Sequence, residues 1–273
     1  MSGSWLAIVC RYGVSLVLLV ALLPLQSTAE TLVLVQGYQA KGDDWRSPGI
    51  MNALLQAGWR DGGQLGEGSA SLPVVRGPRF FTVDLITDAP LMHQLAQLQE
   101  YMAQIRNDYP EESLILAGHS AGGVLGRLYM VQNPTSGVAA LITFASPHLG
   151  TETAELGIVL GNSPLGWASR WLGANDLLGR SQGLFFDLIR ERPGSLLFWL
   201  NRQPHPVARY ISVVRDEERS WVGDLIVPVW SQDMNQVYEL RGRAVSIPSA
   251  GTHGLNDEDG RLLVRILSRL RHS

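Results

Sequence analysis

The chain has 273 residues, 45% of them hydrophobic, enough for one large domain or two small ones. Its formal net charge is -3, Lys41 is its only lysine, and no long run of one sign occurs, which argues against a nucleic-acid groove or an acidic tail. Cys10 is the only cysteine and sits near the start, so neither a disulfide framework nor thiol chemistry is expected.

The first 29 residues read as an export signal. Arg11 precedes the apolar run Val14 to Leu25, and Ser27 and Ala29 supply small residues where a signal peptidase would cut. The run is short for a membrane span, although an uncleaved N-terminal anchor is the alternative. Residues 30–273 then form the expected domain, exported to a periplasm or the cell exterior.

From Thr31 short apolar runs alternate with longer amphipathic ones. The stretch TLVLVQGY, Thr31 to Tyr38, predicts a buried strand ending at a glycine. Ser47 to Trp59 predicts a short helix, with Ser47 as cap and Pro48 in its first turn. The Gly- and Ser-rich stretch Asp61 to Pro73 reads as loop. Arg79 to Ile86 predicts a second strand, and Leu91, Leu95, Leu98, Met102 and Ile105 mark a helix that Pro110 follows. Ser113 to Gly118 is the third strand, Ala121 to Asn133 the next helix, and Val138 to Pro147 the fourth strand. Ala208 to Arg215 and Gly242 to Pro248 are later strands, and Asp257 to Ser273 is a closing amphipathic helix. Its arginines at 261, 265 and 269 read as a solvated face.

This alternation predicts an α/β fold with a mostly parallel central sheet and helices on both faces. Ligands in such folds bind beyond the carboxyl ends of the strands. Between about 151 and 206 the alternation stops. Short apolar helices there, carrying Leu184, Phe185, Leu197 and Trp199 among others, form either a helical cap over a greasy ligand or an ordinary packed subdomain.

The segment GHSAG, Gly118 to Gly122, fits G-x-S-x-G between a strand and a helix. A tight strand-to-helix turn of that kind needs small residues two places either side of the serine, and it lifts Ser120 to the top of the sheet. The following amides open a helix, whose N-terminus favours an anion.

GHSAG resembles the nucleophile elbow of the α/β-hydrolase superfamily, in its lipase and esterase branch. ASPHLGT (Ala145 to Thr151) is similar to a segment that follows a core strand in many bacterial lipases and inositol-deacylase-like hydrolases. GDLIVPVWS (Gly223 to Ser231) resembles their D-x-x-V-P segment, and GTHGLN (Gly251 to Asn256) their late histidine loop. The resemblance implies an α/β-hydrolase fold and a Ser-His-Asp mechanism. Ser120 would be the nucleophile. His253 would be the base, the one histidine of six in the superfamily's order. Asp224 would be the orienting acid, with Asp216 and Asp233 as rivals. It assigns the oxyanion amides to Ala121 and to Tyr38, which follows a Gln36 where the family usually has histidine.

No metal site is expected, since the acidic pairs lack a coordination pattern. No cofactor is expected either, because there is no P-loop lysine and no G-x-G-x-x-G after the first strand. The implied substrate is a lipid-like or other hydrophobic ester, with transient contact at a lipid interface and no nucleic acid. A thioesterase or acyltransferase with the same three residues, or a catalytically silent binding module, are the alternatives.

Overall fold

The computed structural model describes residues 30–39, 44–66, 75–154, 177–215 and 224–272. The expected export signal, the rival Asp216 and residues 155–176 of the expected cap lie outside them. Seven strands form one sheet: β1 (Glu30–Val35), β2 (Arg60–Leu65), β3 (Arg79–Val83), β4 (Ser113–His119), β5 (Val138–Phe144), β6 (Arg209–Arg215) and β7 (Ala244–Ser249). Their order is β2-β3-β1-β4-β5-β6-β7. Every neighbouring pair is parallel, so the sheet is more uniform than the mostly parallel arrangement expected.

Side-chain alternation on β1 shows how the sheet takes helices on both faces. Val33 and Val35 join a core with Leu91, Leu95, Leu98, Met102 and Ile105 of α2 (Leu91–Asp108) and Val124, Leu125 and Leu128 of α3 (Ala121–Gln132). Leu32 and Leu34 point the other way, toward Ile50 and Leu54 of α1 (Pro48–Gln56) and Leu262, Leu263, Ile266 and Leu267 of the C-terminal helix at Asp257–Arg271. A period of two on the strand and of 3.6 on the helices makes these faces meet. Each such buried aliphatic side chain contributes roughly 1.5–3 kcal/mol of transfer free energy.

β2 corrects the sequence reading, which placed a loop from Asp61. This edge strand carries Asp61, Gly62, Gly63 and Gln64 instead of an apolar alternation, and its register shifts between Asp61 and Gln64. Glycine at 62 is dictated by the Phe81 ring, which lies 2.3 Å from where a Cβ would stand. An edge strand with a bulge can be polar because only one side of it pairs. Ser47 is the N-cap of α1 but makes no side-chain capping bond.

The described part of the irregular segment holds three short helices, α4 (Leu177–Arg180), α5 (Gln182–Leu188) and α6 (Leu196–Leu200). Leu184, Phe185, Leu188, Leu197 and Leu200 are buried in the same core as α2 and α3. Asp187 of α5 accepts a hydrogen bond from the Leu91 amide at 2.7 Å, so α5 supplies the acceptor that Pro90, the N-cap of α2, lacks. After β6 come α7 (Val229–Gln232) and, last, α8 (Asp257–Arg271).

Candidate active site

All seven strands run the same way, so their carboxyl ends share one edge. Gly37 and Tyr38 follow β1, Ser120 follows β4, Pro147 follows β5, Asp224 follows β6 and His253 follows β7. Five loops distant in sequence therefore converge over the sheet.

Ser120 has φ 52° and ψ -127°, a left-handed backbone conformation that a non-glycine residue adopts only at a cost of about 1–3 kcal/mol. Its surroundings hold it there. Its amide donates to the Phe144 carbonyl at 2.9 Å, and its carbonyl accepts from Gly123 at 3.1 Å. Helix α3 comes so close to β1 that a Cβ on Gly122 would lie 2.3 Å from the Gln36 carbonyl oxygen. Glycine at 122 is what lets the serine stand at the junction.

The Ser120 hydroxyl donates to His253 Nε2 at 2.9 Å, and His253 Nδ1–H donates to Asp224 Oδ2 at 2.8 Å. The three residues named from the sequence thus form one hydrogen-bonded series. Asp224 is buried, and its other oxygen accepts from the amides of Ile226 and Val227, both at 2.9 Å. The rival Asp233 is engaged elsewhere. It accepts from the Asn235 amide at 2.9 Å and from the Ser246 hydroxyl.

Four supporting residues escaped the sequence reading. Gln232, buried on α7, donates to Asp224 Oδ2 at 3.1 Å and to the Val227 carbonyl at 2.7 Å, and accepts from the Arg215 amide at 2.8 Å. The fully buried Arg215 side chain binds both oxygens of Asp259, at 2.7 and 2.8 Å, and donates to the Gly254 carbonyl at 3.1 Å. Asp259 also closes the capping box with Asn256 at the start of α8. The histidine loop is thereby fixed to the end of β6 on one side and to α8 on the other. The signal in the sequence was an arginine closing a strand whose residues from Tyr210 to Val214 are mostly apolar. His119, beside the serine, donates its Nε2–H to the His253 carbonyl at 2.8 Å. Burial, and then the neighbouring His253, lower its pKa to about 3, so it stays neutral near pH 7.

The expected oxyanion donors sit on either side of Ser120. Ala121 is the first residue of α3, and Tyr38 lies on the β1 loop, where Gly37 abuts the serine. Gln36, buried where the family usually has histidine, secures that loop. With its amide turned to satisfy both ends, it accepts from the Leu85 amide at 3.0 Å and donates to the Val83 carbonyl. The Tyr38 hydroxyl donates to Ser181 at 2.9 Å, and its ring meets Phe185 edge-on at 5.3 Å. The β1 loop is therefore tied to α5.

Ser120 and His253 open into a cavity of about 380 Å³ with walls of Tyr38, Pro147, Ala154, Leu184, Phe185, Leu188, Ile226 and Val227. Its lining also includes Gln39, Thr151 and Thr153 but is mainly apolar, which suits an acyl chain. Among the described residues no three His, Cys, Asp or Glu side chains gather as a metal set.

Residues 27–156 match the family described as PGAP1-like alpha/beta domain. That stretch contains Ser120 and strands β1 to β5. No curated protein matches the sequence. Among solved structures, the chain is similar to the mature Bacillus licheniformis lipase BlEst2, with TM-score 0.59 at 16% identity over 89% of this chain and 92% of that one. It is also similar to the Paleococcus ferrophilus monoacylglycerol lipase, with TM-score 0.53 at 15% identity over 88% of this chain and 94% of that one. A third is the metagenomic carboxyl esterase MGS0156, with TM-score 0.54 at 13% identity over 90% of this chain and 76% of that one. At these identities the likeness is one of fold.

Proposed function

This chain is an α/β-hydrolase in fold, and we propose that it cleaves carboxylic esters of hydrophobic acids through an acyl-enzyme on Ser120. The observation that carries the proposal is the hydrogen-bonded series from Ser120 through His253 to the buried Asp224, at the floor of an apolar cavity. The solved lipases and esterases of the same fold support the reaction class.

In this mechanism His253 Nε2 takes the hydroxyl proton as Ser120 Oγ bonds to the ester carbonyl carbon. The carbonyl oxygen gains the negative charge and is held by the amide of Ala121, at the start of α3, and that of Tyr38, on the β1 loop. Collapse expels the alcohol, which leaves with the proton from Nε2, and the acyl group stays on Oγ. A water then gives its proton to Nε2 and its oxygen to the acyl carbon. Breaking the Ser120 ester bond frees the acid and returns the proton to Oγ. Asp224 accepts from His253 Nδ1–H and so fixes the histidine tautomer with the proton on Nδ1. Helices α4 to α6 act as part of a cap whose Leu184, Phe185 and Leu188 contact the acyl chain.

A fluorophosphonate probe tests the reading. The folded protein should label at Ser120, and Ser120→Ala should abolish labelling and ester turnover. A folded wild type that neither labels nor hydrolyses any short ester overturns it in favour of a silent binding module. A chain-length series with p-nitrophenyl esters then reads the cavity, and a thioester turned over faster than its oxyester counterpart reassigns the substrate. The N-terminal segment belongs to the same proposal as an export signal, which mature N-terminal sequencing of the expressed protein checks.

A further inference from the structure

A second cavity lies one wall away from the ester cavity. It has a volume of about 310 Å³, and its lining includes three guanidinium groups, those of Arg190, Arg202 and Arg241, with a single carboxylate, Glu191. Leu149 and Trp230 belong to this cavity, while Thr151 and Ile226 belong to the ester cavity. Two residues of extended chain span at most about 7 Å, so the two spaces share the strip from Leu149 to Thr151 as a partition. That partition is stitched to the acid loop. Ser231 Oγ donates to the Gly150 carbonyl at 2.6 Å and accepts from the Leu149 amide at 3.2 Å, and Thr151 Oγ1 donates to the Ile226 carbonyl.

The charges in this cavity do not cancel. Glu191 is engaged by Arg202 and by the Asn201 side-chain amide at 2.7 Å. Arg190 stacks over Trp230 at 5.0 Å, and its ion-pair partner Glu152 is 69% exposed and is not part of the lining. Arg241 lies near the Tyr238 ring and has no carboxylate partner among the described residues. The lining thus sets three guanidiniums against one carboxylate, and Arg241 is the one of them with no ion-pair partner among the described residues. Guanidinium forks match phosphate oxygens in pairs, and aromatic walls hold the forks in place.

We propose that this cavity binds an anionic group, of the phosphate-monoester class, carried on the alcohol portion of the ester substrate. The inference rests on the ester-hydrolase reading and narrows it. With the acyl chain in the apolar cavity and the scissile carbonyl at Ser120, an alcohol bearing phosphate reaches across the partition to Arg190 and Arg241. The choice among ester substrates then rests on charge as well as chain length.

The test compares two water-soluble esters, 1-butyrylglycerol 3-phosphate and 1-butyrylglycerol, and separately measures glycerol 3-phosphate binding by calorimetry. One guanidinium–phosphate contact worth about 1.4 kcal/mol changes kcat/KM tenfold, so a preference of about tenfold or more for the phosphate ester is expected. The double variant Arg190→Gln/Arg241→Gln should remove that preference and the glycerol 3-phosphate binding while leaving butyrylglycerol turnover near wild type. Inorganic phosphate should compete with the phosphate ester and not with the neutral one. Equal kcat/KM for the two esters, a preference that survives in the double variant, or absent glycerol 3-phosphate binding would each overturn the proposal. So would a charge effect seen only with neutral ester in phosphatidylglycerol vesicles, which assigns the arginines to a membrane surface. Turnover of butyrylglycerol and labelling of Ser120 report the ester-hydrolase reading independently, and the binding measurement does not depend on either.

Discussion

The Asp224 carboxylate accepts four hydrogen bonds, from the amides of Ile226 and Val227, the Gln232 side chain and His253. Only the last bears on proton transfer; the other three fix where the carboxylate points. Replacing Asp224 with asparagine preserves size and puts an amide where the histidine proton must be accepted, which favours the wrong tautomer. The expected result is a fall in kcat of roughly 10³–10⁴ with the fold retained, read by steady-state kinetics alongside far-UV circular dichroism. Asp233→Asn should stay within about twofold of wild type, because its carboxylate bonds Asn235 and Ser246 and none of the reacting groups. The reverse pattern would move the acid role to Asp233. At the same scale, Gly122→Ala puts a methyl group into the Gln36 carbonyl and should depress stability and labelling together, as backbone cannot give way as a flexible side chain does.

Among the secondary-structure elements, the decisive contact is between the end of β6 and the start of α8. Arg215 and Asp259 are both almost wholly buried, so each charge is left without solvent if its partner is lost. Arg215→Met should therefore destabilise the protein by about 3–5 kcal/mol, read from urea unfolding. Adding Asp259→Leu should recover much of that loss, since a buried ion pair replaced by apolar groups is often close to neutral. Activity should not recover with it, because the bond from Arg215 to the Gly254 carbonyl, one residue past His253, stays absent. A double variant restored in both stability and turnover would show that the arginine has no part in holding the histidine loop. The elements themselves were largely legible from periodicity, because β1, β4 and β5 are nearly continuous apolar runs and α2 repeats its leucines at helical spacing. β2 was not legible. An edge strand pairs on one side only, and a bulged, glycine-bearing sequence carries no hydrophobic alternation to detect.

For the molecule as a whole, three buried histidines set the response to acid. His119 and His205 are each lowered to about 3, chiefly by burial, and His148 is held well below its ordinary value by burial and then by Arg127. In the unfolded chain each titrates near its ordinary value of 6.5, so between about pH 6.5 and 3 the unfolded state binds more protons than the folded one. Stability should then fall as pH drops below about 6.5, each histidine adding up to roughly 1.4 kcal/mol per pH unit. Urea midpoints at pH 7.5 and 5.5 check this, and a midpoint that is unchanged or higher at 5.5 would contradict the assignment of neutral buried rings. Along the chain, local pattern by itself determined the alternation of strands and helices and the serine turn, because these depend on residues within a few positions of one another. The family resemblance supplied the histidine and the candidate acids. That Asp224 meets His253 while Asp233 caps a turn, that Gln232 and Arg215 hold the acid and base loops in register, and that three arginines gather beside the ester cavity were decided only by the tertiary structure. Each depends on loops far apart in sequence being brought to one sheet edge, a proximity that no local pattern encodes.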